Sequence, residues 1–187
     1  TRIRLVSVGP EPARYDPLEL DLCRPDQTGP ADTVLFLPNT GGKTVLMRLL
    51  FSVLHPPIVE RIGTEETSHQ KKNLLGYVLD RDTAHVVIEW RRVESGRFAD
   101  DQVLVTGLVA EWREARRPAD PKPEDLKRLW YSIRGSAGMV GVNHLAFEID
   151  SSSDNGPVRR RLPLRRFREQ LEELRKSGQR AKLEVST

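Results

Sequence analysis

The feature that most constrains the fold is an apolar run at residues 33–37, which leads through a glycine-containing turn into a stretch of helical periodicity. Four consecutive apolar residues after Thr33 predict a strand buried on both faces. After the turn, apolar residues recur at helical spacing, and two prolines at positions 56 and 57 are expected to end the helix. The order of strand, turn and helix predicts an α/β fold.

The turn itself has the composition of a nucleotide phosphate-binding loop. The first turn of a helix leaves free N–H groups and the positive end of a dipole, which together favour an anion. Gly41 and Gly42 let the backbone approach a phosphate, Lys43 is expected to reach the β and γ phosphates, and the Thr44 hydroxyl is expected to ligate Mg²⁺. The predicted site for ATP and Mg²⁺ consists of Pro38, Asn39, Thr40, Gly41, Gly42, Lys43 and Thr44.

This loop departs from the usual pattern G-x-x-x-x-G-K-[ST] at one position, where Leu37 stands in place of the first glycine. We interpret Leu37 as the last residue of the buried strand and Pro38 as the residue that sets the turn. The alternative is an ordinary strand–turn–helix connection with a lysine at its corner.

Alternating apolar and polar residues predict further strands, and helical spacing predicts further helices. Residues 2–8 and 18–22 are expected to pair as a meander, and strands are predicted at residues 84–90, 103–112, 130–133 and 144–149. Helices are predicted at residues 68–79 and around Leu164, Phe167, Leu171 and Leu174. The predicted sheet is mixed and partly antiparallel.

Composition favours a cytosolic protein with a single packed core. The 187 residues carry a net charge of only +3, and 37% of them are apolar, without any run as long as a membrane helix requires. The single cysteine, Cys23, excludes an internal disulfide and a zinc site built from cysteines. Basic residues concentrate in residues 158–182, a pattern that suits either a nucleic-acid backbone or a solvated helix face.

Catalytic residues are not evident in this sequence. An ATPase needs a strand that ends in acidic residues to organise Mg²⁺ and the attacking water. Asp80, Glu89 and Glu148 each follow an apolar run, yet each is equally well explained as the outward position of a strand or the polar face of a helix. The four histidines lie far apart in sequence without the spacing of metal ligands. We therefore assign no catalytic residue.

The order and motifs of the first fifty residues resemble the N-terminal half of the ATPase head of SMC-like proteins, most of all the MukB-like and Wadjet JetC-like bacterial members. The resemblance is carried by the alternating strand at residues 2–8, the second strand, and the loop that leads into the helix. Loops of that family commonly read G-x-N-G-x-G-K-[ST], which Asn39, Gly42, Lys43 and Thr44 match, whereas Leu37 and Thr40 replace the two earlier glycines.

This resemblance implies a P-loop NTPase of the ABC/SMC type, in which residues 1–157 form the nucleotide-binding N-lobe of the head. It implies that residues 158–187 form a basic amphipathic helix leading towards a coiled-coil arm, and that Arg14 or Arg4 lies beside the nucleotide base. The implied partners are the C-terminal half of the same head, a second head in an ATP-dependent homodimer, DNA and kleisin-like subunits, without a membrane. The acids for hydrolysis would come from the C-terminal half, in a cytoplasmic, nucleoid-associated machine for chromosome organisation or plasmid defence.

Two other functions remain open at this point. A self-contained P-loop kinase or NTPase would use Glu89 or Glu148 as the acid that organises the metal. A non-catalytic nucleic-acid-binding module would use the basic C-terminal helix, with bases stacked on Trp90, Trp112, Trp130 and Tyr131.

Overall fold

The computed structural model of the chain describes residues 1–37, 42–54, 74–114, 116–153, 156–177 and 180–186. Of residues 150–153, 156–160 and 180–186 it describes the backbone only. The elements within these ranges are the strands β1 (Arg2–Val6), β2 (Leu18–Asp21), β3 (Thr83–Glu94), β4 (Arg97–Trp112), β5 (Leu126–Ser136), β6 (Glu148–Ser153), β7 (Gly156–Arg161) and β8 (Arg180–Ser186), and the helices α1 (Lys43–Leu54), α2 (Leu74–Tyr77) and α3 (Leu164–Lys176).

Six of the strands form one twisted sheet in the order β2-β1-β3-β4-β5-β8, and β6 and β7 form a separate hairpin. Every pair of neighbouring strands is antiparallel. The protein therefore has the α/β composition that the sequence predicts. The expectation of a mixed sheet is wrong for the described strands, because hairpins and short connections link most neighbours and such connections give antiparallel pairs.

Alternation along the strands gives the sheet two apolar faces. On β3, Val86 and Ile88 point to the face that α1 and α2 cover, whereas Val87 points to the opposite face. On the opposite face, Phe167 and Leu171 of α3 are completely buried. Three layers result, with helices on both sides of the sheet.

Most predicted strands and helices are present. The meander of β1 and β2, the strands β3, β4 and β5, and the helix with its apolar residues on one stripe are all confirmed. The predicted helix at 68–79 is described only from Leu74, where it forms one turn, and residues 55–73 with the predicted proline stop lie outside the described residues. The strand predicted at 144–149 is wrong for most of its length, since a 3-10 turn, Val142–His144, precedes β6.

The buried strand predicted at residues 33–37 is wrong. These residues belong to no strand, and the side chains of Val34 and Phe36 are 93% and 89% exposed. A strand buried on both faces needs a neighbour at each edge, but β1 already lies between β2 and β3. Residues 33–37 therefore pair with none of the described strands, although their apolar composition is that of a core strand.

The C-terminal segment is more than the single basic helix that we expected. Residues 156–161 form β7, α3 follows, and the chain then returns as β8 to pair with β5 at the edge of the sheet. We correct the expectation of a lone helix accordingly, because the apolar stripe of α3 packs on the sheet. The division of the chain at residue 157 stays a prediction.

Candidate functional site

The described part of the predicted phosphate loop is the start of α1. Gly42 has a left-handed backbone with φ of 79°, and its carbonyl accepts the first intrahelical hydrogen bond from Leu46 N–H at 2.8 Å. Lys43 and Thr44, the first two residues of the helix, are exposed. Pro38, Asn39, Thr40 and Gly41 were predicted to complete the site and lie outside the described residues.

Gly42 is held by Tyr15, which comes from the connection between β1 and β2. The Tyr15 hydroxyl donates a hydrogen bond of 3.0 Å to the Gly42 carbonyl. A Cβ atom on residue 42 would lie 2.6 Å from that hydroxyl oxygen, a distance that real Cβ contacts do not show. Glycine is therefore required at position 42 both by its backbone conformation and by the close approach of Tyr15.

Lys43 closes the loop at its base. Its Nζ donates a hydrogen bond of 2.7 Å to the carbonyl of Leu37, the last described residue before the loop. The first turn of α1 holds no acidic residue, so a cationic side chain and the positive end of the helix dipole coincide there. An exposed helix start with a lysine at its base suits a phosphate group.

The two arginines that the resemblance placed beside a nucleotide base have other partners. Arg14 precedes Tyr15 and forms an ion pair of 2.5 Å with Asp82, with a longer contact of 3.7 Å to Asp16. Arg4 points to the face of the sheet opposite α1, where its guanidinium lies 4.7 Å from the centre of the Phe147 ring. The expectation for Arg4 is therefore wrong, because adjacent strand residues alternate between faces and its neighbours face α1.

The candidate metal-organising acids do not meet at α1. Glu89 is buried on the face opposite α1, where its carboxylate accepts a hydrogen bond of 3.1 Å from Val142 N–H. Glu148 forms an ion pair with Arg161, and Asp80 accepts a hydrogen bond of 3.0 Å from the backbone N–H of Arg117. These contacts give all three carboxylates structural roles, and the roles proposed for Glu89 and Glu148 in a self-contained kinase lose their geometric basis.

The aromatic residues proposed to stack on nucleic-acid bases lie in the interior. Trp112, Trp130 and Tyr131 are buried, and Trp90 is partly buried against the same core. The three indole N–H groups donate to acceptors within the protein, namely Thr106 Oγ1, the Val78 carbonyl and the Ser52 carbonyl. The aromatic platform of the nucleic-acid hypothesis is thus wrong, because these side chains are core.

The backbone of the basic segment is divided among several elements, and its described side chains on α3 are paired with acidic residues. On α3, Arg165 and Arg166 pair with Glu169, and Arg168 pairs with Glu172. Such pairs at spacings of three and four residues are typical of an exposed helix surface. The charge that looked continuous in sequence is divided between β7, α3 and β8.

A charged cleft of about 960 Å³, which the sequence did not reveal, lies where the ends of several strands meet. At its base, Arg161 donates to the Ser7 hydroxyl at 2.6 Å and pairs with Asp16 and Glu148. Nearby, burial raises the pKa of Asp82, and the guanidinium of Arg14 opposes that shift. The cleft's charges are largely committed to one another, and we assign no ligand to it.

Comparison of the chain with protein-family models, with curated proteins and with solved structures gave no significant match. Among the helices described here, none is long and apolar enough to cross a membrane. Within the same ranges, no group of three or more histidine, cysteine or acidic residues is placed to hold a metal ion. What the start of α1 does is therefore argued from its own residues.

Proposed function

We propose that this chain binds ATP with Mg²⁺ at the start of α1, as the N-lobe of an SMC-like ATPase head. The observation that carries the proposal is the hydrogen bond of 2.7 Å between Lys43 Nζ and the Leu37 carbonyl, next to the left-handed Gly42. This hydrogen bond joins the residues on either side of the predicted loop, at the N-terminus of α1. A polyphosphate bound there would accept hydrogen bonds from N–H groups that the first turn of a helix presents at its N-terminus.

Each residue has a distinct part in the proposed site. The N–H groups of the first turn and of the loop would bind phosphate oxygens, and Gly41 and Gly42 keep the approach clear. Lys43 would exchange the Leu37 carbonyl for the β and γ phosphates, and the Thr44 hydroxyl would be a ligand of Mg²⁺. The exposed positions of Lys43 and Thr44 fit these roles.

Exposed apolar side chains near α1 support the proposal that a second lobe covers this surface. Val34 and Phe36 are almost fully exposed, and Met47, Phe51 and Leu54 form a half-exposed stripe on the side of α1 that does not face the sheet. Exposed apolar groups on this scale usually mark a surface that another polypeptide covers. In the proposed head, the C-terminal half covers this surface and also supplies the acids for hydrolysis.

The wider proposal follows from the same resemblance. Two heads would dimerise around ATP, with DNA and kleisin-like subunits as further partners, in a cytoplasmic, nucleoid-associated machine for chromosome organisation or plasmid defence. By contrast, no described contact favours a self-contained kinase.

Calorimetric titration with ATP and Mg²⁺ tests the binding site. We expect Lys43→Ala to weaken ATP binding at least about tenfold, since a hydrogen bond to a charged group contributes about 1.5–3 kcal/mol. Lys176→Ala removes a lysine from the last turn of α3 and is the matched control, with unchanged affinity. Equal affinity of Lys43→Ala and the unchanged chain would reject the site.

Steady-state hydrolysis tests the two-lobe proposal. The chain alone should turn over ATP negligibly, and co-expression with the C-terminal half of the head should restore turnover. Rapid hydrolysis by residues 1–187 alone would contradict the proposal and favour the self-contained enzyme. In that case Glu89→Gln and Glu148→Gln would be the next variants to assay.

A further inference from the structure

We propose that two copies of this chain pair through strand β8 (Arg180–Ser186), so that their two sheets continue into each other across a two-fold axis at Leu183. Strand β8 is at the edge of the six-stranded sheet, and among the described strands it pairs only with β5. An edge strand directs every second set of N–H and C=O groups away from its sheet, where another strand can pair with them. The interaction goes beyond the proposed function because it requires neither ATP nor the start of α1.

The two edges of the sheet differ in how open they are to a further strand. Strand β2, at the other edge, has only four residues and directly follows Pro17. Short strands and prolines are features by which proteins block pairing at an edge. Strand β8 has seven residues, contains neither proline nor glycine, and pairs with β5 in one register without a bulge. Of these two edges, β8 is therefore the one that suits an added strand.

The sequence of β8 is complementary to itself in the antiparallel direction. When Leu183 lies opposite Leu183 of a second copy, Ala181 lies opposite Val185 and Lys182 lies opposite Glu184. Two-fold symmetry makes each of these pairs occur twice. Opposite charges directly across an antiparallel pair are stabilising, and like charges are destabilising. A second copy of the same strand therefore fits this edge.

Neighbouring registers of the same pairing are less favourable. A shift of two residues in either direction places Lys182 opposite Lys182 or Glu184 opposite Glu184. A shift of one residue places Leu183 opposite one of these charged residues and so mixes the apolar positions with the charged ones. The sequence thus specifies one register, with Leu183 on the axis.

The pairing also continues the apolar face of the sheet. The register of β8 with β5 places Leu183 opposite Tyr131 and Val185 opposite Leu129, two β5 residues that are buried on the face that α3 covers. Directly opposite residues share a face, and successive residues of a strand alternate between faces. The apolar positions of β8 therefore belong to the α3 face, and its charged positions belong to the other face. In the dimer, the apolar face would run from one sheet into the next.

Sedimentation velocity without ATP tests the pairing. Every protein in this test carries Val34→Ser and Phe36→Ser, so that association through these exposed apolar residues does not contribute. The parent protein should dimerise, and Lys182→Glu should raise the Kd of the dimer at least about tenfold, because it converts two attractive charge pairs into two repulsive ones. Lys176→Glu makes the same charge change at an exposed position of α3 and is the matched control, with an unchanged Kd.

A mixture of two charge variants tests the register. Glu184→Lys alone should weaken the dimer as Lys182→Glu does, whereas an equal mixture of the two variants should associate, because each acidic position then lies opposite a basic one. Both substitutions in one chain should likewise restore the homodimer. Net charge cannot cause this recovery, since one reversal changes the net charge of +3 by two and both variants stay positive. Circular dichroism checks that all variants remain folded.

A disulfide placed at the two-fold axis supplies a second readout. Directly opposite residues of antiparallel strands have Cα atoms about 4.5–5.5 Å apart, within the range of about 4.4–6.8 Å that a disulfide spans. In a Cys23→Ser background, Leu183→Cys should give a covalent dimer on mild oxidation. Ser177→Cys, at an exposed position just after α3, should stay monomeric on the same treatment.

A monomeric parent protein, an unchanged Kd in Lys182→Glu, or a mixture of the charge variants that does not associate would each overturn the pairing. A dimer that does not cross-link at Leu183→Cys would overturn the two-fold axis at this residue. Nucleotide binding is measured separately, so a failure of the phosphate site and a failure of the β8 dimer are distinct results.

Discussion

At the scale of single residues, His85 lies in an environment very different from that of a solvent-exposed histidine. Its ring is completely buried between Phe147 and Phe167, with ring centres 5.1 and 4.8 Å away. Burial, reinforced by the nearby guanidinium groups of Arg161 and Arg4, lowers the pKa of His85 from 6.5 to about 3. The folded protein therefore keeps this imidazole neutral.

This histidine should make the protein sensitive to acid. Between pH 6.5 and pH 3 the unfolded chain binds a proton at His85 that the folded protein does not, so the free energy of unfolding falls as the pH decreases through that window. From pH 7 to pH 5, the loss due to this residue should be about 2 kcal/mol. Urea unfolding of the protein and of His85→Leu at both pH values measures the difference.

The Leu variant should lose less stability on acidification than the unchanged protein. His144→Gln, which removes an exposed histidine, should lose as much as the unchanged protein does. An identical pH dependence in His85→Leu would show that the imidazole is charged or accessible in the folded state.

Residue-level prediction from the sequence was good where the signal was local. The position of Gly42 and Lys43 at a helix start follows from seven consecutive residues and the periodicity after them. The contact of Tyr15 with Gly42 could not be predicted, because a hydrogen bond from a side chain to a backbone carbonyl 27 residues away leaves no periodic trace in the sequence. For the same reason, the contacts of Arg161 with Ser7 and Glu148 could not be predicted from its position in a basic stretch of sequence.

At the scale of secondary-structure elements, Arg161 attaches the β6–β7 hairpin to the sheet. It is the last residue of β7, and it contacts Ser7 after β1, Asp16 before β2 and Glu148 at the start of β6. The arginine side chain is only 21% exposed. One guanidinium thus joins three segments that are distant in sequence.

We expect Arg161→Met to destabilise the hairpin more than its size suggests. Removing the arginine leaves Glu148 without its ion-pair partner and leaves Asp16 with only the longer contact to Arg14, which together cost about 2 kcal/mol, less than for a fully buried pair because the groups are partly solvated. Hydrogen exchange of the β6 and β7 amides, followed by mass spectrometry, should accelerate markedly in this variant.

Arg165→Met is the matched control for this change. Arg165 is exposed on α3 and pairs only with Glu169 within the same helix. Its loss should leave the exchange of β6 and β7 unchanged. Equal exchange rates in both variants would mean that the hairpin is attached by other contacts.

The prediction of strands was correct for three strands of the sheet and wrong for residues 33–37. Strands β3, β4 and β5 were predicted correctly because their alternation reports burial on two faces. Residues 33–37 have the composition of a buried strand, but composition does not state whether a neighbouring strand is present to pair with. Residues 33–37 are exposed because no described strand pairs with them, and pairing depends on the whole chain.

At the scale of the whole molecule, the sheet is covered on both faces while the surface around α1 stays partly apolar. We expect the double variant Val34→Ser, Phe36→Ser to reduce self-association at high protein concentration, because it removes the two most exposed apolar side chains among the residues that the structure describes. Its free energy of unfolding should stay nearly unchanged, since both residues are solvated in the folded and unfolded states. Sedimentation velocity over a concentration series measures the first effect, and urea unfolding measures the second.

A substitution of phenylalanine by serine in the core should, in contrast, lower the free energy of unfolding strongly. Phe167→Ser removes a completely buried ring from the face under α3 and should cost about 3–5 kcal/mol, or more because a hydroxyl is buried in its place. If the double variant lost comparable stability, residues 34–36 would have to be packed in the folded chain.

The class of the fold could be predicted from sequence, and its topology only in part. Helical and strand periodicities identify most of the elements, but the antiparallel order, the return of the chain as β8 and the charged cleft arise from long-range pairing. Such pairing depends on which edges are already occupied, and no local pattern records that.

The hydrogen bond from the Trp130 indole to the Ser52 carbonyl has a practical consequence. It ties a buried chromophore on the central sheet to the last turns of the helix whose first turn holds Lys43. Indole emission depends on the polarity and hydrogen bonding around the ring, so movement of α1 along the sheet changes the light that Trp130 emits. With Trp90 and Trp112 replaced by phenylalanine, the emission of Trp130 would thus serve as an unlabelled optical reporter of movement of α1.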